Sequence, residues 1–242
     1  MTSKPLSSKQ WLVDNPLRHG ENLYAVISST SDADPLAVYR QRGGVEPAAR
    51  VWAGTPYADW LPVMPYLLSL TPDSEFLQWA TETAANDWGL WGVSTATPET
   101  IVEHLRGLTQ VFMPAGEAVF FRFWDGRHWL PILQHLGDAT RDVLPVFDRY
   151  WINSQPVAVG QGAVLAAQAF PWWQIPGELL DSLAESDLNT VIDNLMQWLK
   201  DTQAELYASI GEPHLRLKVE HFVQRSSPSQ LKDSGLLLAH VQ

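Results

Sequence analysis

The sequence predicts an α/β fold for residues 1–150, with α+β as the alternative, and a helical lobe for residues 151–242. Between residues 22 and 137, short apolar runs rich in β-branched and aromatic residues alternate with amphipathic stretches. The amphipathic stretches open on residues that favour a helix start. A longer amphipathic pattern over residues 186–210 is the clearest helix in the chain. We therefore expect a sheet with flanking helices, followed by a helical lobe.

The N-terminal elements begin with a short helix over residues 8–15. The apolar run NLYAVIS (residues 22–28) predicts a buried strand. The segment SDADP (residues 31–35) predicts a capped helix that ends near Gly43. Residues 45–65 are rich in proline and aromatic residues and follow no regular pattern.

Two strand–helix units and a hairpin come next. We predict strands over residues 65–70 and 88–96, and helices over residues 71–85, 97–107 and 127–137. Thr71 and Thr97 each precede a proline, and both are predicted to be N-caps. Residues 108–123 predict a hairpin that turns at Pro114, Ala115 and Gly116. Strand–helix alternation favours parallel pairs and a hairpin is antiparallel, so we expect a mixed sheet.

Residues 151–176 are nearly uncharged and give no clear element. The predicted helix over residues 186–210 lies in a strongly acidic stretch, and Gly211 and Pro213 predict its end. The tail from His214 carries four basic residues and two acidic ones. This charge asymmetry predicts that the tail folds back on the acidic helix.

Composition excludes several classes of function. The chain has 242 residues, a net charge of −11 and no basic stripe, so we expect no nucleic-acid partner. No apolar run approaches the roughly 20 residues that span a bilayer, and the first residues lack the apolar core of a signal peptide. The chain has no cysteine, which removes disulfides and thiolate chemistry. We expect a cytoplasmic protein without a membrane partner.

The segment VFFRFWDGRHW (residues 119–129) is the densest cluster of charged and aromatic residues. Asp125 stands where a strand gives way to a helix, a favoured position for an N-cap. Arg122 lies close enough in sequence to pair with it. This pattern favours a structural cap and ion pair, and the alternative is a binding or catalytic site that includes His128.

Catalytic templates are missing from the sequence. There is no G-x-S-x-G nucleophile elbow and no P-loop, and the segment GQGAVL (residues 160–165) lacks the third glycine of a dinucleotide-binding loop. The seven histidines do not have the spacing of a zinc motif. We expect no catalytic residue, no metal site and no cofactor.

Trp172 and Trp173 lie between two prolines in AFPWWQIPGELL (residues 169–180). Two adjacent tryptophans do not easily face the same core, and exposed tryptophans are frequent interface hot spots. We predict that both contribute to a partner-binding surface. The alternative is that they pack between the two lobes.

The order of motifs resembles the effector adaptor, or effector chaperone, proteins of bacterial type VI secretion, a family long catalogued as a domain of unknown function. The resemblance covers about residues 22–150 and rests on YAVIS (24–28), MPYLLSL (64–70), WGLWGVS (88–94), HLRGLTQVFMPAGE (104–117) and VFFRFWDGR (119–127). In the last motif, Trp124 replaces a tyrosine and Gly126 replaces a proline of the family pattern. Both changes keep an aromatic residue followed by a cap and a turn residue.

The resemblance implies a protein that binds one cognate toxic effector and helps to load it onto the spike tip protein (VgrG type) of the secretion apparatus. It implies no reaction and no cofactor. Arg106, Arg122 and Asp125 are then expected to be structural residues that hold the central strands. Two alternatives are an immunity protein that neutralises a toxin, and an enzyme of unfamiliar type with a site near Asp125 and His128.

Overall fold

The computed structural model describes residues 7–44, 47–160, 162–186, 188–231 and 233–241, without the side chains of residues 184–190 and 228–229. The chain divides into two compact units, Met1–Ile175 and Pro176–Gln242. The division lies later than the expected boundary after residue 150 because the next strands pair with the sheet of the first unit.

The first unit is built on a six-stranded sheet with the order β2-β3-β1-β4-β7-β8. A separate two-stranded sheet contains β5 and β6. The strands are β1 (Asn22–Ile27), β2 (Ala49–Arg50), β3 (Tyr66–Leu70), β4 (Gly89–Ser94), β5 (Gln110–Phe112), β6 (Ala118–Phe120), β7 (Arg149–Ile152) and β8 (Gln155–Ala158).

Every pair of strands that the structure describes is antiparallel, so the expected mixed sheet is corrected to an antiparallel one. Strands β3 and β4 are both antiparallel to β1 and are therefore parallel to each other, as a strand–helix–strand unit requires. However, β1 lies between β3 and β4 and forms backbone hydrogen bonds with both of them. The hairpin also forms where predicted, but in its own small sheet.

Helices flank this sheet, and the predicted α/β class is confirmed. In the first unit they are α1 (Ser8–Asp14), α2 (Pro35–Gln41), α3 (Glu75–Glu82), α4 (Pro98–Gly107), α5 (Gly126–Leu136) and α6 (Thr140–Val143). Thr97 caps α4 as predicted, because its side chain accepts a hydrogen bond from the Thr100 N–H. Thr71 does not cap α3. The helix begins at Glu75, and Ser74 is its N-cap. Thr71 instead starts a turn, in which its carbonyl oxygen accepts a hydrogen bond from the Ser74 N–H.

The core of the first unit is rich in tryptophan. Trp91 lies opposite Trp151 in the pairing of β4 with β7, and the two rings stack with centroids 5.7 Å apart. Trp11 of α1 meets the Trp91 ring edge-on at 5.5 Å. Both β1 and β4 are buried along most of their length, which agrees with their continuous apolar sequence.

The second unit is helical in its described residues. It contains α7 (Gly177–Ser186), α8 (Leu188–Thr202), α9 (Ala204–Ile210), α10 (Glu212–Arg225), α11 (Pro228–Leu231) and α12 (Ser234–Val241). The single helix predicted over residues 186–210 is interrupted at Gln203, whose backbone is not helical. Pro213 lies in the first turn of α10, where a proline is tolerated.

The tail does fold back on the acidic helix. Arg216 of α10 forms an ion pair of 2.7 Å with Asp193 of α8. The two helices enclose an apolar core with Leu199, Leu215 and Val219 at its centre. Among the described residues, no helix combines the length and the apolar character needed to cross a membrane.

Candidate partner-binding surface

Asp125 is the buried charge of the segment that joins β6 to α5. Its side chain is fully buried and caps α5 by accepting a hydrogen bond from the Arg127 N–H at 3.0 Å. Arg127 Nη2 lies 2.8 Å from Asp125 Oδ2, and Arg122 Nη2 lies 3.1 Å from the same oxygen. Both arginine side chains are about half exposed, so the network has one buried anion and two cations that reach solvent.

The environment of Asp125 keeps it ionised. Burial raises the pKa of this carboxyl. The hydrogen bonds from Arg127 and the nearby charges of His128 and Arg127 lower the pKa by more than burial raises it, so the net pKa lies below the ordinary value. His128 Nε2 stands 3.8 Å from Asp125 Oδ2, which is beyond a hydrogen bond. This geometry suits a structural cap better than an acid–base pair.

Arg106 of α4 fixes the segment that follows β2. Its Nε donates to the Val51 carbonyl oxygen at 2.6 Å, and its Nη2 donates to the Ala53 carbonyl oxygen at 2.7 Å. A guanidinium that donates to two carbonyls holds the backbone in one place and in one orientation. The following residues therefore project from a fixed base.

An exposed aromatic patch lies on this fixed segment and on the β5–β6 hairpin. We define the aromatic patch as Tyr57, Trp60, Leu61, Phe120 and Phe170. Trp60, Leu61 and Phe120 are 45%, 49% and 45% exposed, which is high for such large apolar side chains. The Tyr57 ring lies 5.0 Å from the rings of both Trp60 and Phe120 and 5.9 Å from that of Phe170. The exposed side chains thus form one connected surface.

Two buried tryptophans support the aromatic patch from below. The Trp52 ring meets the Tyr57 ring at 6.1 Å and the buried Trp124 ring at 5.7 Å. Trp52 Nε1 also donates a hydrogen bond to Thr109 Oγ1 at 3.1 Å. The patch is therefore a rigid surface, because its rings rest on packed and hydrogen-bonded groups.

A groove of about 430 Å³ adjoins the aromatic patch at Phe170. Its walls are Thr55, three residues of α4 (Glu103, Arg106 and Gly107) and residues 167–170. Its volume is within the range of ligand-binding clefts, roughly 300–1,000 Å³.

The wall formed by residues 167–170 is held against α4. His104 Nε2 lies 3.0 Å from the Leu165 carbonyl oxygen, and this oxygen can only accept, so Nε2 carries the proton. Burial lowers the pKa of His104, which favours the neutral ring. On the other side of the wall, Arg141 donates to the carbonyl oxygens of Gly160 and Gly162, each at 2.7 Å.

The two tryptophans that the sequence singled out differ in exposure. Trp173 is only 8% exposed, and its ring meets the Phe121 ring edge-on at 5.7 Å. Its carbonyl oxygen accepts a hydrogen bond from the Phe112 N–H, which joins this segment to β5. Trp172 is half-buried beside Gly107 and His104. Of the two, only Trp172 is accessible for direct contact with a partner.

Sequence reasoning missed the aromatic patch. The sequence feature that could have indicated the patch is the irregular segment over residues 45–65. There, Tyr57 and Trp60 follow prolines and glycines and do not fit the periodicity of a strand or a helix. Large aromatic residues in a segment without regular structure have fewer neighbours to cover them than those in a strand. The contribution of Phe120 was hidden, because the predicted hairpin ran through residue 123 whereas β6 ends at Phe120.

The described residues contain no group of three or more histidine, aspartate or glutamate side chains arranged to hold a metal ion.

Of the comparisons with known proteins, the one with family models gives a match. No curated protein and no solved structure matches the chain. Residues 23–142 match a family model described as a domain of unknown function, DUF4123. The matched region begins in β1 and ends in α6, and it includes every residue of the aromatic patch except Phe170. The first unit of this chain is therefore similar, over residues 23–142, to the domain of unknown function DUF4123.

Proposed function

We propose that the chain is an effector adaptor of bacterial type VI secretion. In the cytoplasm of the producing cell it binds a cognate toxin and helps to load this toxin onto the spike tip protein. The match over residues 23–142 supports this proposal, because it covers nearly the same region as the motifs that resemble the adaptor family.

The observation that carries the proposal is the aromatic patch. An exposed cluster of aromatic residues on a rigid base is typical of a protein-binding surface, and Trp and Tyr are enriched among interface hot spots. The cluster lies mostly in the matched region and rests on the contact between Trp52 and Thr109. We place effector binding at this surface, with Trp172 beyond the groove as a second contact.

The proposed activity is binding and not catalysis, and it needs no cofactor. In the Asp125 region, both carboxylate oxygens are engaged by arginine and by the backbone of α5, which leaves the group poorly placed to take up a proton. We take Arg106, Arg122 and Asp125 to be scaffold residues. We propose that the partners of this chain are proteins and not nucleic acid.

The experiment is a tagged pull-down from the native cell, followed by mass spectrometry. The wild-type chain is compared with Trp60→Ala/Phe120→Ala, and with Val13→Ala as a control at an exposed apolar residue outside the aromatic patch. We expect the wild type and the control to retain a toxin together with a spike protein, and the double variant to lose the toxin.

Other outcomes would contradict the proposal. Recovery of a toxin that has lost its activity, without a spike protein, would indicate an immunity protein. Recovery of no protein partner would leave an enzyme as the better explanation, and the Asp125–His128 region would then be the place to screen for a substrate.

A further inference from the structure

The aromatic patch offers flat rings and hydrogen-bond donors to a partner. Trp60 Nε1 and the Tyr57 hydroxyl have no acceptor among the residues that the structure describes. The centroids of the Tyr57, Trp60 and Phe120 rings lie 5.0–5.3 Å apart, so the rings pack against one another and present one continuous apolar surface beside the groove. A ligand that fits must supply compact apolar groups and carbonyl acceptors.

A polyproline II segment has both properties. A proline has no N–H, so it brings a carbonyl acceptor and no backbone donor that would need a partner. Its ring is compact and apolar, and the extended helix is already formed before binding, which lowers the entropic cost. Grooves lined by aromatic residues are the surface that such segments bind in other proteins.

The charges around the aromatic patch select the residues that flank the prolines. Asp59 directly precedes Trp60 and is exposed, and the exposed Glu103 lines the adjoining groove. The one cation of the groove wall, Arg106, donates from Nε and Nη2 to the carbonyl oxygens of Val51 and Ala53. Complementarity therefore favours lysine or arginine beside the prolines.

We propose that the aromatic patch binds a proline-rich segment of polyproline II conformation, flanked by basic residues, on the partner protein. The proposal rests on the proposed function only in assigning this segment to the effector. The prolines lie on Tyr57, Trp60 and Phe120, and the basic residues lie beside Asp59 and Glu103.

The test is fluorescence anisotropy with defined peptides and the full chain. The probe is labelled Lys-Pro-Pro-Leu-Pro-Pro-Leu-Pro-Lys. One matched peptide carries glutamate in place of both lysines, and another carries glycine in place of every proline. We expect the probe to bind the wild type at least about tenfold more tightly than either matched peptide.

Variants localise the binding. Trp60→Ala and Phe120→Ala should each raise Kd about tenfold, which corresponds to the loss of one hot-spot side chain. Val13→Ala should leave Kd unchanged. Asp59→Lys should weaken binding of the lysine peptide and strengthen that of the glutamate peptide. Asp138→Lys makes the same charge change at an exposed residue outside the patch and should do neither.

Several results would overturn the proposal. If the glycine peptide binds as tightly as the probe, the site does not require a polyproline II segment. If Asp59→Lys does not change the preference between the lysine and glutamate peptides, charge complementarity does not select the ligand. A wild-type dimer in sedimentation that Phe120→Ala dissociates, and that does not bind the probe, would assign the patch to a second copy of the chain.

The outcome is separable from that of the proposed function. If no peptide binds but the pull-down retains a toxin through the aromatic patch, the peptide chemistry is wrong and the adaptor function stands. If the probe binds through the patch but no toxin is retained, the peptide site stands and the adaptor function falls.

Discussion

Trp52 Nε1 donates a hydrogen bond of 3.1 Å to Thr109 Oγ1, and both residues are buried. Trp52 lies at the base of the segment that carries Tyr57 and Trp60. Thr109 directly precedes β5, the partner of the strand that ends in Phe120. This contact helps to join two parts of the chain that form the aromatic patch.

The first prediction concerns Thr109→Val. The variant leaves the Trp52 indole N–H buried without an acceptor, which costs about 1–3 kcal/mol of unfolding free energy. Urea denaturation should show this loss, and the probe peptide should bind more weakly because one of the contacts that hold the two parts of the patch together is removed. Thr140→Val is the matched control, since the buried Thr140 hydroxyl has no hydrogen-bond partner among the described residues and its removal should cost little. Equal losses in the two variants would contradict the role of the contact.

The second prediction concerns Gly107→Ala. A Cβ at this position would come 2.4 Å from the Gln168 carbonyl oxygen, so the wall at residues 167–170 must move. We expect a stability loss of about 1–3 kcal/mol and weaker binding of ligands that occupy the groove. Gly177→Ala adds the same methyl group where, beyond the adjacent backbone, no atom of the described residues lies within 4 Å, and it should leave both properties unchanged. Unfolding and peptide-binding curves for both variants decide the point, and unaltered binding by Gly107→Ala would exclude the groove from the site.

The third prediction concerns pH and Asp125. The pKa of this carboxyl is lowered in the folded state, so its contribution is present above the unfolded pKa, about 3.9, and is lost as pH falls through the folded pKa. Asparagine still caps a helix, so Asp125→Asn should cost only the ion pairs, about 1–2 kcal/mol at neutral pH. This difference from the wild type should shrink below about pH 4.

Thermal or urea unfolding from neutral to acidic pH tests the third prediction. Asp138→Asn is the control, because it makes the same substitution at an exposed carboxylate outside the Asp125 network. A difference between the wild type and Asp125→Asn that is the same at all pH values would mean that the carboxylate charge does not stabilise the fold.

The fourth prediction separates the two adjacent tryptophans. Trp173→Ala removes a buried ring and should destabilise the protein by about 3–5 kcal/mol. Trp172→Ala removes a half-buried ring and should cost less, about 1–2 kcal/mol. If Trp172 contacts the partner, its variant should retain less toxin in the pull-down while it remains folded. Full retention would remove Trp172 from the interface, and a small effect of Trp173→Ala on unfolding would contradict its place in the core.

Local signals predicted much of the fold. The apolar runs that become β1, β3 and β4 are evident from residue type, and the caps at Asp34, Thr97 and Asp125 follow from short-range hydrogen bonding. The turn at Gly116 and the amphipathic pattern of α8 are equally local. Each of these features depends on residues within one or two turns of chain, and the sequence by itself therefore determined them.

Tertiary structure alone decided which elements became neighbours. The insertion of β1 between β3 and β4 made the sheet antiparallel, and the pairing of β7 with β4 carried the first unit past residue 150. Burial of Trp173 and exposure of Trp60 were decided by what packs around each ring. The aromatic patch brings together Tyr57, Phe120 and Phe170 from distant parts of the chain. Such contacts arise from pairing and packing over long sequence separations, for which local residue patterns carry no signal.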